Sequence, residues 1–423
     1  MVTLALFIFA VTYMLLLVLP KYRAYIAVAS AAIFVILGIL PLQNVFSSVD
    51  WNVIMMIAGT MGIVFFFIGS KMPALLADVI IRKMPNVKWT IIALSLFAGI
   101  ISAFVDNVAT VLMVAPVALT ISKKLKISPV LSIIAIAISS NLQGAATLVG
   151  DTTSILLGGY AGLDFLDFFV YKGRPGMFWV VEISAVVATL VLLFVFRKDT
   201  QKIELKDKTV VTDYFPTVIL LGTIVLLILA SFIPGKPQVT NGLICMVLFV
   251  VSLIRALIVK KDFHVVKEAL LSIDYFTLCL LAGLFIVIAG ITEAGVVDAI
   301  AQAFVKISGS NLLAMYSLIV WASVLLSAFI DNIPYIATML PVVSGIAAIL
   351  GVDPTLLYFG LLSGATLGGN PTAIGASANI IALAILREEG YEVSAGQFMK
   401  VSVPFTLSAV ITGYILVFVI WYK

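Results

Sequence analysis

Apolar segments follow one another along the chain at 3–19, 23–41, 52–70, 89–122, 129–160 and 176–196. The most polar stretch, Arg197 to Asp213 (RKDTQKIELKDKTVVTD), then intervenes. After it the series restarts at 214–233, 239–259, 274–293, 312–350, 354–386 and 401–422. The order is the same on both sides: three spans, a double-length segment, an interrupted segment and one span. That pattern predicts an internal duplication, with a first repeat over 1–196, a linker over 197–213 and a second repeat over 214–423. A bilayer is crossed by about 20 apolar residues. The segments 89–122 and 312–350 exceed one crossing, and each carries Asp-Asn near its middle, so they read as re-entrant hairpins. The segments 129–160 and 354–386 hold Gly144 to Ser154 and Gly364 to Gly375, where glycine and proline break the helix. Irregular backbone at such depth survives only where it lines a cavity or is buried in protein. The predicted fold is therefore an all-α polytopic membrane protein of two repeats with broken helices. Each repeat has five crossings plus a re-entrant hairpin, and an odd number of crossings inverts the second repeat relative to the first.

Composition agrees. Of 423 residues, 63% are hydrophobic and only 11% charged, against about a quarter charged in soluble domains; mean hydropathy is +1.23. A soluble enzyme would need polar surfaces that this chain lacks. The net charge of +4 implies no nucleic-acid partner, because the basic residues sit in short loops, where they report topology. With the N-terminus outside, 20 basic residues fall inside, among them Lys21, Arg23, Lys260 and the five of the linker. Five fall outside (Lys172, Arg174, Lys236, Lys306 and Lys423), and that imbalance selects this orientation in the inner or plasma membrane, with the linker cytoplasmic. The first apolar run has no basic stretch before it and reads as a membrane helix in preference to a signal peptide. Cys245 and Cys279 read as small core residues, His264 as a solvated loop residue, and Glu182 and Glu293 as solvated span ends.

The candidate chemistry is duplicated too. Ser102-Ala103-Phe104-Val105-Asp106-Asn107 returns 225 positions later as Ser327-Ala328-Phe329-Ile330-Asp331-Asn332, with Pro116 and Pro341 each ten residues past the aspartate. A charge in hydrocarbon costs several kcal/mol, on contested scales from about 3 to over 10. Asp and Asn suit the start of a half-helix because they cap free N–H groups, but Ser or Asn would cap without bringing in a charge. A third acid, Asp151, lies in the first break. Aligning Thr147-Leu-x-Gly150-Asp151 with Thr366-Leu-x-Gly369-Asn370 pairs it with an amide. No Lys or Arg is found in these segments near the acids; Lys123 and Lys124 belong to the membrane edge. Acids without basic partners call for a cation or a proton. The donors are hard oxygens, which suit Na⁺ at Asp106, Asn107, Asp151, Asp331 and Asn332, or H⁺ exchange. Half-helix N-termini could hold a solute anion beside the cation. The glycine run 364–375 has no Gly-Lys-Ser/Thr and is not a phosphate loop. A membrane enzyme would need a nucleophile and a base, which the core lacks.

Asp106-Asn107-Val-Ala-Thr110-Val-Leu-Met-Val-Ala-Pro116 and Gly144-Ala-Ala-Thr147-Leu-Val-Gly150-Asp151 resemble the ion transporter superfamily. The resemblance extends to its arsenite-efflux (ArsB), NhaD-type sodium–proton antiporter and melanosomal P protein branches. Asp331-Asn332-Ile-Pro334 and Gly375-Ala-Ser-Ala-Asn379 are similar to the second-half motifs of that group. The resemblance implies a scaffold part and a moving transport part, elevator-type alternating access and a homodimer. It also implies that ion and substrate are bound by Asp106, Asn107, Thr110, Asn141, Thr147, Gly150 and Asp151, with Asp331, Asn332, Thr366, Asn370, Thr372, Ser377 and Asn379 from the second half. Many relatives continue the first break as Gly-Asp-Pro-Pro-Asn, where this chain has Gly150-Asp151-Thr152-Thr153-Ser154. Sodium-coupled dicarboxylate carriers have Ser-Asn-Thr at the two Asp-Asn positions, which lowers citrate or succinate as substrate. The expected function is Na⁺- or H⁺-coupled secondary transport of a small inorganic ion, as cation–proton antiport or arsenite/anion movement, with no cofactor beyond the coupling ion. A passive ion channel and a sodium-coupled carboxylate carrier are the alternatives.

Overall fold

The computed structural model describes residues 1–202, 209–211, 213–259, 261–309 and 311–422. Part of the predicted linker, and Lys206, Lys208, Lys260 and Lys423 of the charge tally, lie outside the described residues. Twenty α-helices make up most of the described residues. The first ten are α1 (Val2–Val18), α2 (Arg23–Ile36), α3 (Val45–Ser48), α4 (Trp51–Gly69), α5 (Met72–Lys83), α6 (Val87–Ser102), α7 (Asn107–Leu125), α8 (Val130–Gln143), α9 (Thr152–Ala161) and α10 (Met177–Val195). The second ten are α11 (Phe215–Ser231), α12 (Thr240–Ile258), α13 (Phe263–Leu271), α14 (Tyr275–Glu293), α15 (Val296–Ser308), α16 (Leu312–Ser327), α17 (Asn332–Leu350), α18 (Thr355–Thr366), α19 (Ser377–Glu388) and α20 (Ala395–Trp421). Among the described residues, seven helices are long and apolar enough to cross a bilayer, or up to nine if each of two bent pairs counts as one span. The chain is a multi-pass, all-helical membrane protein.

The apolar runs became helices close to their predicted limits, and each double-length segment became two helices joined by a turn, α6–α7 and α16–α17. Four helices were not anticipated. α5 buries Pro73, Ala77 and Ile81, one residue per turn, and α15 buries Val296, Val297 and Ala301. Their remaining faces are mixed, so neither forms a continuous apolar run. The short α3 and α13 were missed as well; His264 lies on α13, exposed, and not in a loop. α20 starts six residues before its predicted limit because Ser394 and Gln397 cap each other's backbone in a capping box. Cys245 is buried as expected, whereas Cys279 is exposed on α14.

The halves are interlocked, not stacked side by side. α2 packs on α14 and α4 on α12, so each half lends a helix to its mate. α10 and α20 pack on each other, and α6–α8 and α16–α18 form matching pairs. The broken helices α8 and α18 are buried on every side, which is where the irregular breaks that follow them become tolerable.

Candidate functional site

The same local chemistry builds both hairpin turns. α6 ends at Ser102, and the Asp106 carboxylate accepts from the Val108 and Ala109 backbone N–H groups at 3.0 and 3.1 Å to start α7. α16 ends at Ser327, and Asp331 accepts from Ile333 N–H at 3.2 Å to start α17. Each break is then tied to the turn beside it. The Thr147 hydroxyl donates to the Ala103 carbonyl, and the Thr372 hydroxyl donates to the Ala328 carbonyl. Gly150 and Gly375 pass so close to those turns that no side chain fits. A Cβ at Gly150 would lie 2.7 Å from the Ala103 carbonyl oxygen, and one at Gly375 would lie 2.6 Å from that of Ser327.

These contacts fix the true correspondence between the breaks. Thr147 matches Thr372 and Gly150 matches Gly375, each 225 positions apart like the two aspartates. Asp151 precedes α9 where Ala376 precedes α19. The alignment of Asp151 with Asn370 is therefore wrong. It followed a Thr-Leu-x-Gly string that recurs six residues too early, whereas the hydrogen bonds select Thr372. The second half has no carboxylate at the Asp151 position.

A cavity of about 330 Å³ opens between the turns. Of the predicted site residues, Asp106, Asn107, Asp151, Asn332 and Ser377 line it. Behind its wall runs a buried amide relay that joins the halves. The Asn107 side-chain N–H donates to Asn141 Oδ1 at 3.1 Å, Asn141 Nδ2 donates to Asn370 Oδ1 and to the Thr366 carbonyl at 3.1 Å, and Asn379 Nδ2 reaches Asn370 Oδ1 at 3.3 Å. Thr153 donates to Asp151 at 2.8 Å and contacts the Thr366 hydroxyl at 2.9 Å. Asn141, Thr366, Asn370 and Asn379 thus orient the lining residues from outside the cavity. Thr147 and Thr372 staple backbone, and Thr110 is buried with its hydroxyl 3.5 Å from the Val105 carbonyl.

Asp331 departs from expectation. Its carboxylate is paired with Arg23 Nη1 at 2.8 Å, both side chains being largely covered, at 13% and 15% exposure. The prediction that none of the three acids has a basic partner fails here, because α2 brings Arg23 from 308 positions away. Among the described residues no such partner meets Asp106, which shares its cavity with Asp151 and Asp274 instead. Four buried side-chain oxygens of the first half have no protein partner among the described residues: Ser95 Oγ, Ser102 Oγ, Gln143 Oε1 and Ser154 Oγ. Asp106 and Asp151, which line one cavity with the hard oxygens of Asn107 and Thr152, suit a monovalent cation or a proton.

Ser272, Asp274 and Thr277, which line the cavity from the start of α14, were missed, as were Thr152 and Arg23. Asp274 reads in sequence as an ordinary helix cap, and it does cap α14, accepting from Thr277 N–H at 3.0 Å. Its counterpart is Asp50, which caps α4. Asp50 and Ser48 line a second cavity of about 440 Å³ together with Phe285, Ile288, Ala289 and Thr292. Each of these six lies 224 positions from a residue lining the first cavity, to which Ser272, Asp274, Met61, Val64, Phe65 and Ile68 belong. The second cavity ends on the shaft of α17, at Ala337, Leu340 and Pro341, and not at a hairpin tip.

Residues 5–364 match the family profile described as citrate transporter, CitMHS. The chain belongs to the CitMHS family. It is 32% identical to an uncharacterized transporter of Mycobacterium bovis, over 93% of this chain and 92% of that protein. A 46 kDa membrane protein of Mycobacterium leprae is 31% identical over 97% and 96%. The human P protein is a more distant relative, 26% identical over 98% of this chain and 60% of its own length. Among solved structures, the Alcanivorax borkumensis YdaH transporter superposes with a TM-score of 0.60 at 14% identity, covering 95% and 97%. Neisseria gonorrhoeae MtrF gives 0.57 at 15%, covering 90% and 85%. At such identities the likeness concerns the fold. This CitMHS member is a membrane transporter, and the enzyme alternative falls away.

Proposed function

We propose that this CitMHS member is a secondary active transporter driven by Na⁺ or H⁺, with the coupling ion taken at Asp106 and Asp151. Its halves act as inverted repeats of five crossings and a hairpin each, and the hairpins and broken helices move as one part against the rest in a homodimer. The observation that carries this reading is the pair of cavities built from equivalent positions of α4 and α14, of which only one reaches the hairpin tips. Exchange of one cavity for the other is what alternating access between pseudo-symmetric halves requires. The orientation with the N-terminus outside and the linker cytoplasmic in the inner or plasma membrane follows from the loop charges.

For the substrate, a small inorganic ion, as in cation–proton antiport or arsenite movement, suits the compact acidic cavity. A carboxylate is the second reading, favoured by the family's description as citrate transporters. The test is solid-supported-membrane current from proteoliposomes, with Na⁺, H⁺, arsenite and citrate each offered at two pH values. Saturable, counterflow-competent current that requires Na⁺ or a pH gradient supports the proposal. Non-saturating current without counterflow means a channel and overturns it.

A further inference from the structure

Asp106 and Asp331 are products of one duplicated motif and cap their helices in the same way. Their electrostatic surroundings are opposite. Asp106 shares its cavity with Asp151 and Asp274, and among the described residues no Lys or Arg lines it. Asp331 has the Arg23 guanidinium at 2.8 Å and, at the Asp151 position, only Ala376. Arg23 is held in place from the other side, its Nε donating to the Leu16 carbonyl at 3.3 Å at the end of α1. The same helix fastens this hairpin a second time, where the Tyr13 hydroxyl donates to the Pro334 carbonyl at 2.9 Å. A guanidinium stays charged at any physiological pH and satisfies a carboxylate with fixed geometry.

We infer that Arg23 is a tethered counter-ion occupying a latent monovalent-cation site at the second hairpin tip, so that the coupling ion is admitted at the first tip only. The inference rests on the proposed reading of the Asp106 half. Asp331 retains the oxygen chemistry its twin uses; what it lacks is a free charge. Removing Arg23 leaves a largely buried carboxylate that must recruit a small cation or a proton.

The experiment is ²²Na⁺ binding to the purified full chain at pH 8 by scintillation proximity. Wild type is expected to bind one Na⁺ per chain and Arg23→Gln two, with Arg23→Gln/Asp331→Asn returning to one and Arg23→Lys remaining at one. If Arg23→Gln does not fold, Arg23→Met, apolar and of similar length, carries the same expectation. One Na⁺ in wild type and one in folded Arg23→Gln at the same half-saturation overturns the role of Arg23 and leaves the Asp106 reading standing. None in wild type but one in Arg23→Gln supports the role of Arg23 and overturns Na⁺ as the coupling ion at Asp106. None in either overturns the role of Arg23 and leaves H⁺ as the coupling ion at Asp106.

Discussion

The two hairpin-and-break units are one design executed twice and then charged differently. Each has an aspartate cap, a threonine staple to the turn and a glycine forced by close approach, at spacings that match residue for residue. The first adds Asp151 and, among the described residues, leaves its acids without a basic partner, whereas the second has Ala376 and neutralises Asp331 with Arg23. The two units thus share their geometry but not their charge. Packing geometry involves many residues at once and tolerates little change, whereas one substitution at a helix start or on a facing helix alters the charge. An acid that recurs in a recurring motif need not keep the same electrostatic surroundings.

Substituting the two aspartates breaks this comparison most sharply. Asp106→Asn should weaken the dependence on coupling ion by about 100-fold, the equivalent of about 3 kcal/mol of lost charge pairing, at little loss of fold because asparagine still caps. Asp331→Asn should instead reduce stability by about 3 kcal/mol, since it strands a largely covered arginine. Uptake half-saturation and thermal unfolding, measured on both variants, separate the two outcomes; identical behaviour would dissolve the distinction drawn between the tips.

The shared part of the design is probed by Gly150→Ala and Gly375→Ala. Each places a methyl group against backbone carbonyls, and overpacking of this kind costs about 1–3 kcal/mol. Both should lower the unfolding temperature by similar amounts, and a loss confined to one half would mean that the breaks are not equivalent in packing.

The smallest effect belongs to a polar tie at the rim. Lys172 pairs with Asp353 at 2.5 Å, linking the Val170–Tyr171 and Arg174–Pro175 strand pair to the start of α18. Partial burial pushes the Asp353 carboxyl up, but the Lys172 and Thr355 hydrogen bonds outweigh it and hold the group below its ordinary value. A depressed carboxyl pKa contributes stability above its unfolded value and loses it as pH falls through the folded one. Asp353→Asn should therefore be felt at pH 7 and vanish towards pH 3. Both groups are well exposed, at 48% and 58%, so the loss should stay under about 1 kcal/mol. A penalty that persists at pH 3 would mean that the pairing is not its cause.

Much of this was legible in the chain alone. Apolar run length is a local property, so most of the helices, and the turns and breaks at Asp106-Asn107 and Gly144 to Asp151, could be read directly from the residues. The amphipathic α5 and α15 escaped because half their surface is polar. The pairing of Asp151 with Ala376 escaped because a short string can be slid along a sequence, while a hydroxyl can reach only the carbonyl beside it. The partners of the acids lay further out of reach. Arg23 sits in a loop-like basic cluster in the sequence, and Asp274 reads as a routine cap. Only the crossing of α2 and α14 between the halves carries one to Asp331 and the other to the cavity of Asp106. The sequence by itself determined where the backbone could bend. Which bend is left with uncompensated charge was decided by contacts between segments hundreds of positions apart, because electrostatic energy depends on distance in space and not on distance along the chain.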